Sequence, residues 1–214
     1  LRSAIGAYRQ AIDEFSAIRY DRSQPRPRVF VTGELLVTYH EGSNFAIEEY
    51  LERHGMEPVF PRVTDQLRKD FLAAKSEIKD FKAHIPPDSY LTTALFDAAQ
   101  HQLEGIARKC PAFVSAPSPE ELYEGVSHIM PKTLSCGEGW LMAGEIAHFA
   151  DEGVRSFIIL QPFGCLPNHV CGRGVMRRLK EEHPGIQILP LDLDPDTSFA
   201  NVENRLQMLI MTAR

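Results

Sequence analysis

The sequence predicts an α/β fold, with a Rossmann-like, mostly parallel sheet of four strands in the order 2-1-3-4 and helices on both faces. Short, β-branched apolar segments alternate with longer segments in which apolar residues recur at helical spacing. Continuously apolar strands are typical of parallel sheets that are covered on both faces. A strand, a helix and a second strand follow residue 28 closely, which indicates a βαβ unit with a right-handed crossover.

The first half of the sheet follows a linker rich in proline and arginine. Arg28–Thr32 is a short β-branched run, which predicts a buried strand with Gly33 at its exit. A helix is expected next, with Ser43 as its amino-terminal cap and Gly55 at its end. Pro58–Pro61 is predicted as the second strand.

A long helical insert is predicted between the second and third strands, over residues 64–152. Its helices are expected at residues 64–82, 88–109, 119–129 and 140–152. Ser118 stands directly before Pro119, which is a typical pair at a helix start. The second half of the sheet then consists of a strand, a helix, a strand and a final helix, at Ser156–Leu160, Cys171–His183, Ile186–Leu191 and Ser198–Ala213.

The pattern favours a single α/β domain over residues 25–214, preceded in residues 1–24 by a connecting helix and a linker. The chain begins without methionine and shows no secretion signal, so we expect a fragment of a longer cytoplasmic protein. A net charge of −6 argues against a nucleic-acid partner. The sequence contains no apolar run long enough to cross a membrane. Its four cysteines lack the spacing of a disulfide framework and are expected to be reduced thiols or metal ligands.

The segment Gln161–His169 is the strongest candidate site. Two prolines and a glycine give it an irregular path between a strand and a helix. The thiolate of Cys165 would be favoured near the amino terminus of that helix, which suits a metal ligand, a cluster ligand or a nucleophile. The alternative is a small buried cysteine in a rigid turn, with Asn168 as the helix cap.

A second candidate is the turn Ser135–Trp140. Gly137 and Gly139 surround Glu138, and such a turn can approach a ligand closely. Cys136 adds a thiol to it. Glu138 and Glu145 could place two carboxylates near one crevice. The alternative is a glycine-rich helix entry with solvated acids. Neither a G-x-G-x-x-G fingerprint after a strand nor a Walker A motif is present.

The predicted strand order places both candidates at one crevice. In open parallel sheets, ligands bind outside the carboxyl ends of the strands, at the point where the strand order reverses. Here that point lies between the first and third strands. We therefore expect Glu34 to face Cys165, with Gln161, Asn168 and His169 lining the same crevice.

Three blocks and a closing segment resemble a known family. In chain order they are Arg28–Tyr39, Gly137–Glu145, Gln161–His169 and Leu191–Ser198. Together they look like the C-terminal region of the large CoA-substrate-specific enzyme activases, which are relatives of the 2-hydroxyglutaryl-CoA dehydratase activator. The resemblance covers residues 25–214.

The resemblance implies a redox role. Long members of the family join acetate-kinase-like ATPase modules to a region similar to the 2-hydroxyacyl-CoA dehydratase subunits, whose Rossmann-like lobes share an iron–sulfur cluster. In this family the activator transfers an electron to a dehydratase-type partner, and ATP hydrolysis drives the transfer. By this resemblance Cys165 is a cluster ligand and Cys136 a secondary candidate, while Glu34 and the Gly137–Gly139 turn line the crevice. Upstream ATPase and cysteine-bearing lobes of the same polypeptide would be the partners.

This chain departs from the family pattern in lacking the ATPase modules and the cysteines of the preceding lobe. We therefore expect an incomplete cluster site and no catalysis by this chain alone. Two other functions stay open at this point. One is a docking module without a cluster, and the other is a lobe that binds a small acyl-CoA or another anion.

Overall fold

The computed structural model describes residues 2–21, 23–70 and 87–213. The elements are, in chain order, α1 (Arg2–Ala17), β1 (Arg28–Gly33), α2 (Leu35–Tyr39), α3 (Glu41–Asn44), α4 (Ile47–Arg53), β2 (Glu57–Val59), α5 (63–70), α6 (Pro87–Ala107), α7 (Pro119–Val126), α8 (Trp140–Asp151), β3 (Ser156–Pro162), α9 (Met176–Glu182), β4 (Gln187–Leu193) and α10 (Phe199–Ala213). The part of the predicted helix 64–82 beyond residue 70 lies outside the described residues.

The strands of the described residues form one parallel sheet in the order β2-β1-β3-β4. In its register, Gly33 of β1 lies beside Leu160 of β3, and Gln161 of β3 lies beside Asp192 of β4. Both the α/β class and the predicted strand order are confirmed. All four carboxyl ends therefore meet at one edge of the sheet, and the order reverses between β1 and β3.

Alternate residues of the strands point to two separate cores. Phe30 and Phe157 pack with Trp140 of α8 on one face of the sheet. Val31 and Ile158 pack on the other face, in a core that α4 and α10 also line. The period-two alternation of side chains explains why strands that are apolar throughout become buried on both sides. Helices thus cover both faces, as the sequence predicts.

The helix pair α7–α8 forms a close crossing. Ser118 caps α7 with a capping box, in which its hydroxyl accepts the backbone N–H of Glu121 and its own N–H donates to the Glu121 carboxylate. A Cβ atom at Gly144 of α8 would lie 2.6 Å from the carbonyl oxygen of Leu122 in α7. Glycine therefore allows the two helix backbones to approach each other.

The predicted cap at Ser43 is wrong. The helix starts at Ile47, and Ala46 is its first flanking residue, with φ of +50°. Phe45 also has positive φ, so the chain turns sharply between α3 and α4. The buried Asn44 side chain fixes this turn, because its amide donates to the carbonyls of Val37 and Thr38. Such bonds depend on the fold and leave no local sequence signal.

The helix predicted over Cys171–His183 also differs. The chain becomes helical five residues earlier, at Leu166, and passes through a π-helical turn over Asn168–Gly172. A 3-10 turn over Arg173–Val175 follows before the regular helix α9. Two glycines in this stretch explain the irregular winding, since glycine disfavours a regular helix interior.

The chain divides into two compact units. One comprises residues 1–25 and 77–117, and within it α1 contacts α6. The other comprises residues 26–76 and 118–214 and contains the whole sheet. The sequence does not predict that α1 belongs to the same unit as part of the helical insert.

Candidate functional site at the carboxyl edge of the sheet

The Cys165 loop leaves β3 through a tight turn. Gly164 has φ of +75°, and the Cys165 N–H donates to the Pro162 carbonyl at 3.2 Å. The thiol is partly exposed. Its sulfur accepts a hydrogen bond at 3.3 Å from the side-chain amide of Asn168, which is fully buried. Asn168 thus contacts the thiol instead of capping the helix, and burial fixes its orientation.

His169 binds back to the same loop. Its backbone N–H donates to the Cys165 carbonyl at 3.0 Å, and its ring Nδ1 lies 2.8 Å from the same oxygen. A carbonyl oxygen only accepts, so Nδ1 carries the hydrogen. Nε2 faces Gln161 and Asp192, each at 3.5 Å. The ring therefore joins the Cys165 loop to the ends of β3 and β4.

Gln161 and Asp192 extend this network across the sheet edge. The buried amide of Gln161 donates to Asp192 at 2.6 Å, and Arg173 pairs with the other carboxylate oxygen at 2.8 Å. The Gln161 side-chain oxygen is buried and has no hydrogen-bond partner among the described residues. These bonds hold the start of the irregular helix against β4.

The glycine turn packs directly on the Cys165 loop. A Cβ atom at Gly137 would lie 3.0 Å from the Pro167 ring. Gly139 has φ of +52°, and a Cβ there would lie 2.5 Å from the Leu134 carbonyl oxygen. Lys69, which is fully buried, donates to the carbonyls of Ser135, at 2.7 Å, and Gly137. The turn predicted from its two glycines is therefore tightly constrained.

The other thiols differ in environment. Cys136 is exposed on the glycine turn, whereas Cys171 is buried. The Cys171 sulfur lies 3.9 Å from the Leu134 carbonyl oxygen. Burial raises the pKa of the Cys171 thiol, and the nearby Cys136 raises it further. Cys136 therefore lies close to Cys171, a neighbour that the sequence analysis did not assign to the site.

The two predicted crevice acids have structural partners. The Glu34 carboxylate accepts the N–H of Val37 at 2.9 Å and so caps α2. Its backbone N–H donates to the Leu160 carbonyl, which attaches the start of α2 to β3. Glu138 accepts the N–H of Leu35 at 3.0 Å, and burial raises its pKa. Both acids lie at the edge between β1 and the glycine turn.

Glu145, which the sequence offers as a second carboxylate near Glu138, lines the same cavity as Glu138 and is buried, not solvated. Its carboxylate is buried in α8 and accepts a hydrogen bond from Thr32 of β1 at 2.7 Å. Burial raises the pKa of Glu145 to about 8, and the charges of Asp65 and Glu138 contribute to the increase. The sequence signal for its burial is an acid inside the otherwise apolar helical run Trp140–Ala147.

The described residues offer one well-placed thiol and no complete cluster site. They contain no group of three or more histidine, cysteine, aspartate or glutamate side chains that could bind a metal ion. Cys165 fits the role of a single cluster ligand, since it is partly exposed and its sulfur receives an N–H bond. A complete cluster would need cysteines from elsewhere.

No protein-family model matches the chain, and no curated protein or solved structure shows significant similarity to it. Among the described residues, no helix is both long and apolar enough to span a bilayer.

Proposed function

We propose that the α/β unit is the dehydratase-like lobe of an ATP-dependent activase, and that Cys165 supplies one ligand to an iron–sulfur cluster. The observation that supports this most is the hydrogen bond from the buried Asn168 amide to the Cys165 sulfur. Remaining ligands would come from cysteine-bearing lobes of the same longer polypeptide. The cluster, when bound, supplies one-electron transfer to 2-hydroxyacyl-CoA dehydratase-type chemistry.

The Asn168 contact is suited to a thiolate ligand. An N–H donor aimed at sulfur stabilises negative charge on that sulfur, and hydrogen bonds to cluster sulfurs are one determinant of reduction potential. Asn168 is fully buried, so its side chain is held in position before any ligand arrives. The Cys165 carbonyl is occupied as well, since it accepts both the backbone N–H and the ring Nδ1 of His169. Asn168 therefore holds the Cys165 sulfur, and His169 holds the Cys165 backbone.

Apolar side chains around Cys165 support the involvement of another lobe. Phe163 and Leu166 are 76% and 70% exposed, and Val170 is partly exposed beside them in sequence. Large apolar residues that are grouped on a surface mark interaction sites. A covering lobe would bury these residues, exclude water from the thiol and bring the missing cysteines.

Anaerobic reconstitution of the longer polypeptide with ferrous iron and sulfide tests the proposal. We expect Cys165→Ser to lower the iron content per chain and to remove much of the sulfide-to-iron charge-transfer absorption. Cys110→Ser is the matched control, because Cys110 is a buried cysteine of the other unit. Its iron content should equal that of the wild type.

Asn168→Ala gives a second readout that does not depend on cluster loss. Removal of the N–H donor should lower the reduction potential while iron content stays near that of the wild type. Full iron content in Cys165→Ser, with an unchanged spectrum, would refute the ligand assignment. If that variant instead kept its iron but lost binding to the ATPase part, the docking alternative would be favoured by the exposed Phe163 and Leu166.

A further inference from the structure

An open cavity lies beside α4, apart from the Cys165 loop. Its volume is about 390 Å³, which falls within the range of small-molecule sites, roughly 300–1,000 Å³. It is surrounded by α2, α3, α4 and the residue that follows β2, all of which belong to the sheet-bearing unit. Its lining combines four glutamates with two aromatic rings, namely Glu41, Glu48, Glu49, Glu52, Tyr39 and Phe60.

The four glutamates give this cavity a negative charge. All four are exposed, and exposed carboxylates are ionised at neutral pH. Glu49 pairs with Arg53 at 3.0 Å, whereas Glu41, Glu48 and Glu52 have no ion-pair partner within the described residues. In the described part of the chain, no lysine, arginine or histidine lines the cavity. Glu48 and Glu52 are one helical turn apart, where like charges repel each other, so a bound cation would relieve this repulsion.

Two aromatic rings form an apolar part of the same lining. The ring centroids of Tyr39 and Phe60 lie 6.4 Å apart, and the Tyr39 hydroxyl donates to the Pro61 carbonyl, which holds its ring in place. The face of an aromatic ring attracts ammonium groups, and it also removes aliphatic surface from water. Rings and carboxylates together therefore favour a cation with an aliphatic body over a hydrated inorganic ion.

The Thr38 hydroxyl adds a polar group that lacks a partner. Thr38 lines the cavity and is 2% exposed, and its hydroxyl has no hydrogen-bond partner among the described residues. Buried polar groups without partners are rare and costly in native proteins. An ammonium group only donates hydrogen bonds, so it could bond to this oxygen. The hydroxyl thus indicates a ligand with hydrogen-bond donors, independently of the glutamates.

We propose that this cavity binds a linear polyamine, in which ammonium groups alternate with short methylene chains. One ammonium group would donate to the Thr38 hydroxyl, and the others would pair with the glutamates at the exposed rim. The methylene groups would pack on the rings of Tyr39 and Phe60. The proposal does not depend on the role of Cys165.

Isothermal titration calorimetry of the full chain with spermidine, at constant ionic strength, tests this site. We expect saturable binding of spermidine, and weaker binding of putrescine, which has one ammonium group fewer. Glu48→Gln/Glu52→Gln should raise the Kd for spermidine by about tenfold. The matched control is Glu57→Gln/Glu120→Gln, because these two acids are exposed in the same unit and do not line the cavity. Its Kd should stay within about twofold of the wild type.

Two variants of Thr38 test the buried end of the site. Thr38→Val removes the hydroxyl and should weaken spermidine binding, whereas Thr38→Ser keeps it and should preserve binding. In NMR spectra we expect nuclear Overhauser effects between spermidine methylene protons and the ring protons of Tyr39 and Phe60. Equal loss of affinity in the two double variants would show general attraction to an acidic surface and would overturn the proposal. So would the absence of saturable binding, or unchanged affinity in Thr38→Val.

Discussion

Replacement of Glu145 by glutamine should change how stability depends on pH. Glu145 is buried in α8, and its carboxylate accepts the Thr32 hydroxyl. Glutamine has nearly the same shape and keeps an oxygen that can accept this bond, but it cannot ionise. The substitution therefore isolates the effect of the buried charge from that of packing.

The expected magnitude follows from the pKa of this carboxyl. Burial raises it from 4.5 to about 8. Between these values the folded state binds one proton more than the unfolded chain, so stability is greatest below pH 4.5 and falls as pH rises to about 8. One pKa unit corresponds to about 1.4 kcal/mol, so Glu145 should lower the free energy of unfolding by about 4 kcal/mol between about pH 5 and 9.

Urea unfolding of wild type and Glu145→Gln across this pH range measures the effect. The ionic strength should be the same at every pH, because salt screens the charges of the other titrating groups. Other titrating groups cancel in the difference between the two proteins. We expect glutamine to become the more stabilising residue as pH rises. A difference that stays constant within about 0.5 kcal/mol would contradict the assignment of a buried, protonated acid.

Two further substitutions test the backbone around the site. Ser118→Ala should lower the free energy of unfolding by about 1 kcal/mol, since the capping box of α7 is lost; Ser127→Ala, at the other end of α7, should cost less in the same urea titration. Gly139→Ala should cost about 3 kcal/mol or more, because its Cβ would meet the Leu134 carbonyl oxygen at a positive φ. Gly153→Ala, which has positive φ but open space, is the control, and equal losses in both would contradict the clash.

Much of the fold follows from local sequence signals. Arg28–Gly33 and Ser156–Pro162 are apolar, β-branched runs, and such runs suit strands that are buried on both faces. The Ser118 capping box and Gly55 at the end of α4 satisfy backbone groups within a few residues of themselves. These signals require no distant contact, so sequence reasoning finds them.

The local errors arise where distant contacts decide the backbone. Ser43 has the chemistry of a cap, but the buried Asn44 side chain instead bonds to two carbonyls of α2 and forces Phe45 and Ala46 into left-handed conformations. Asn168 likewise has the chemistry of a cap, yet its amide donates to Cys165. The side chains of Asn44 and Asn168 could each bond to nearby backbone groups in several ways, and the tertiary structure selects the partner.

Sequence signals also predict the irregular backbone of the candidate site but not its buried charges. Proline and glycine mark the Cys165 loop and the Gly137–Gly139 turn as irregular backbone. An acid or a lysine within a helix is usually solvated, so nothing in the sequence marks Glu145 or Lys69 as buried. Their burial depends on packing of α8 against β1 and of α5 against the glycine turn.

The division into two units has a consequence for the length of this chain. In sequence, the sheet-bearing unit has an excursion: it is interrupted by residues of the other unit, which include α6, and resumes at Ser118. The entropy lost when such a loop is closed grows only with the logarithm of its length, by about 0.6 kcal/mol for each doubling. Residues on the excursion can therefore be inserted or deleted at small thermodynamic cost to the sheet. The sheet-bearing unit resumes at Ser118, whose hydroxyl caps α7.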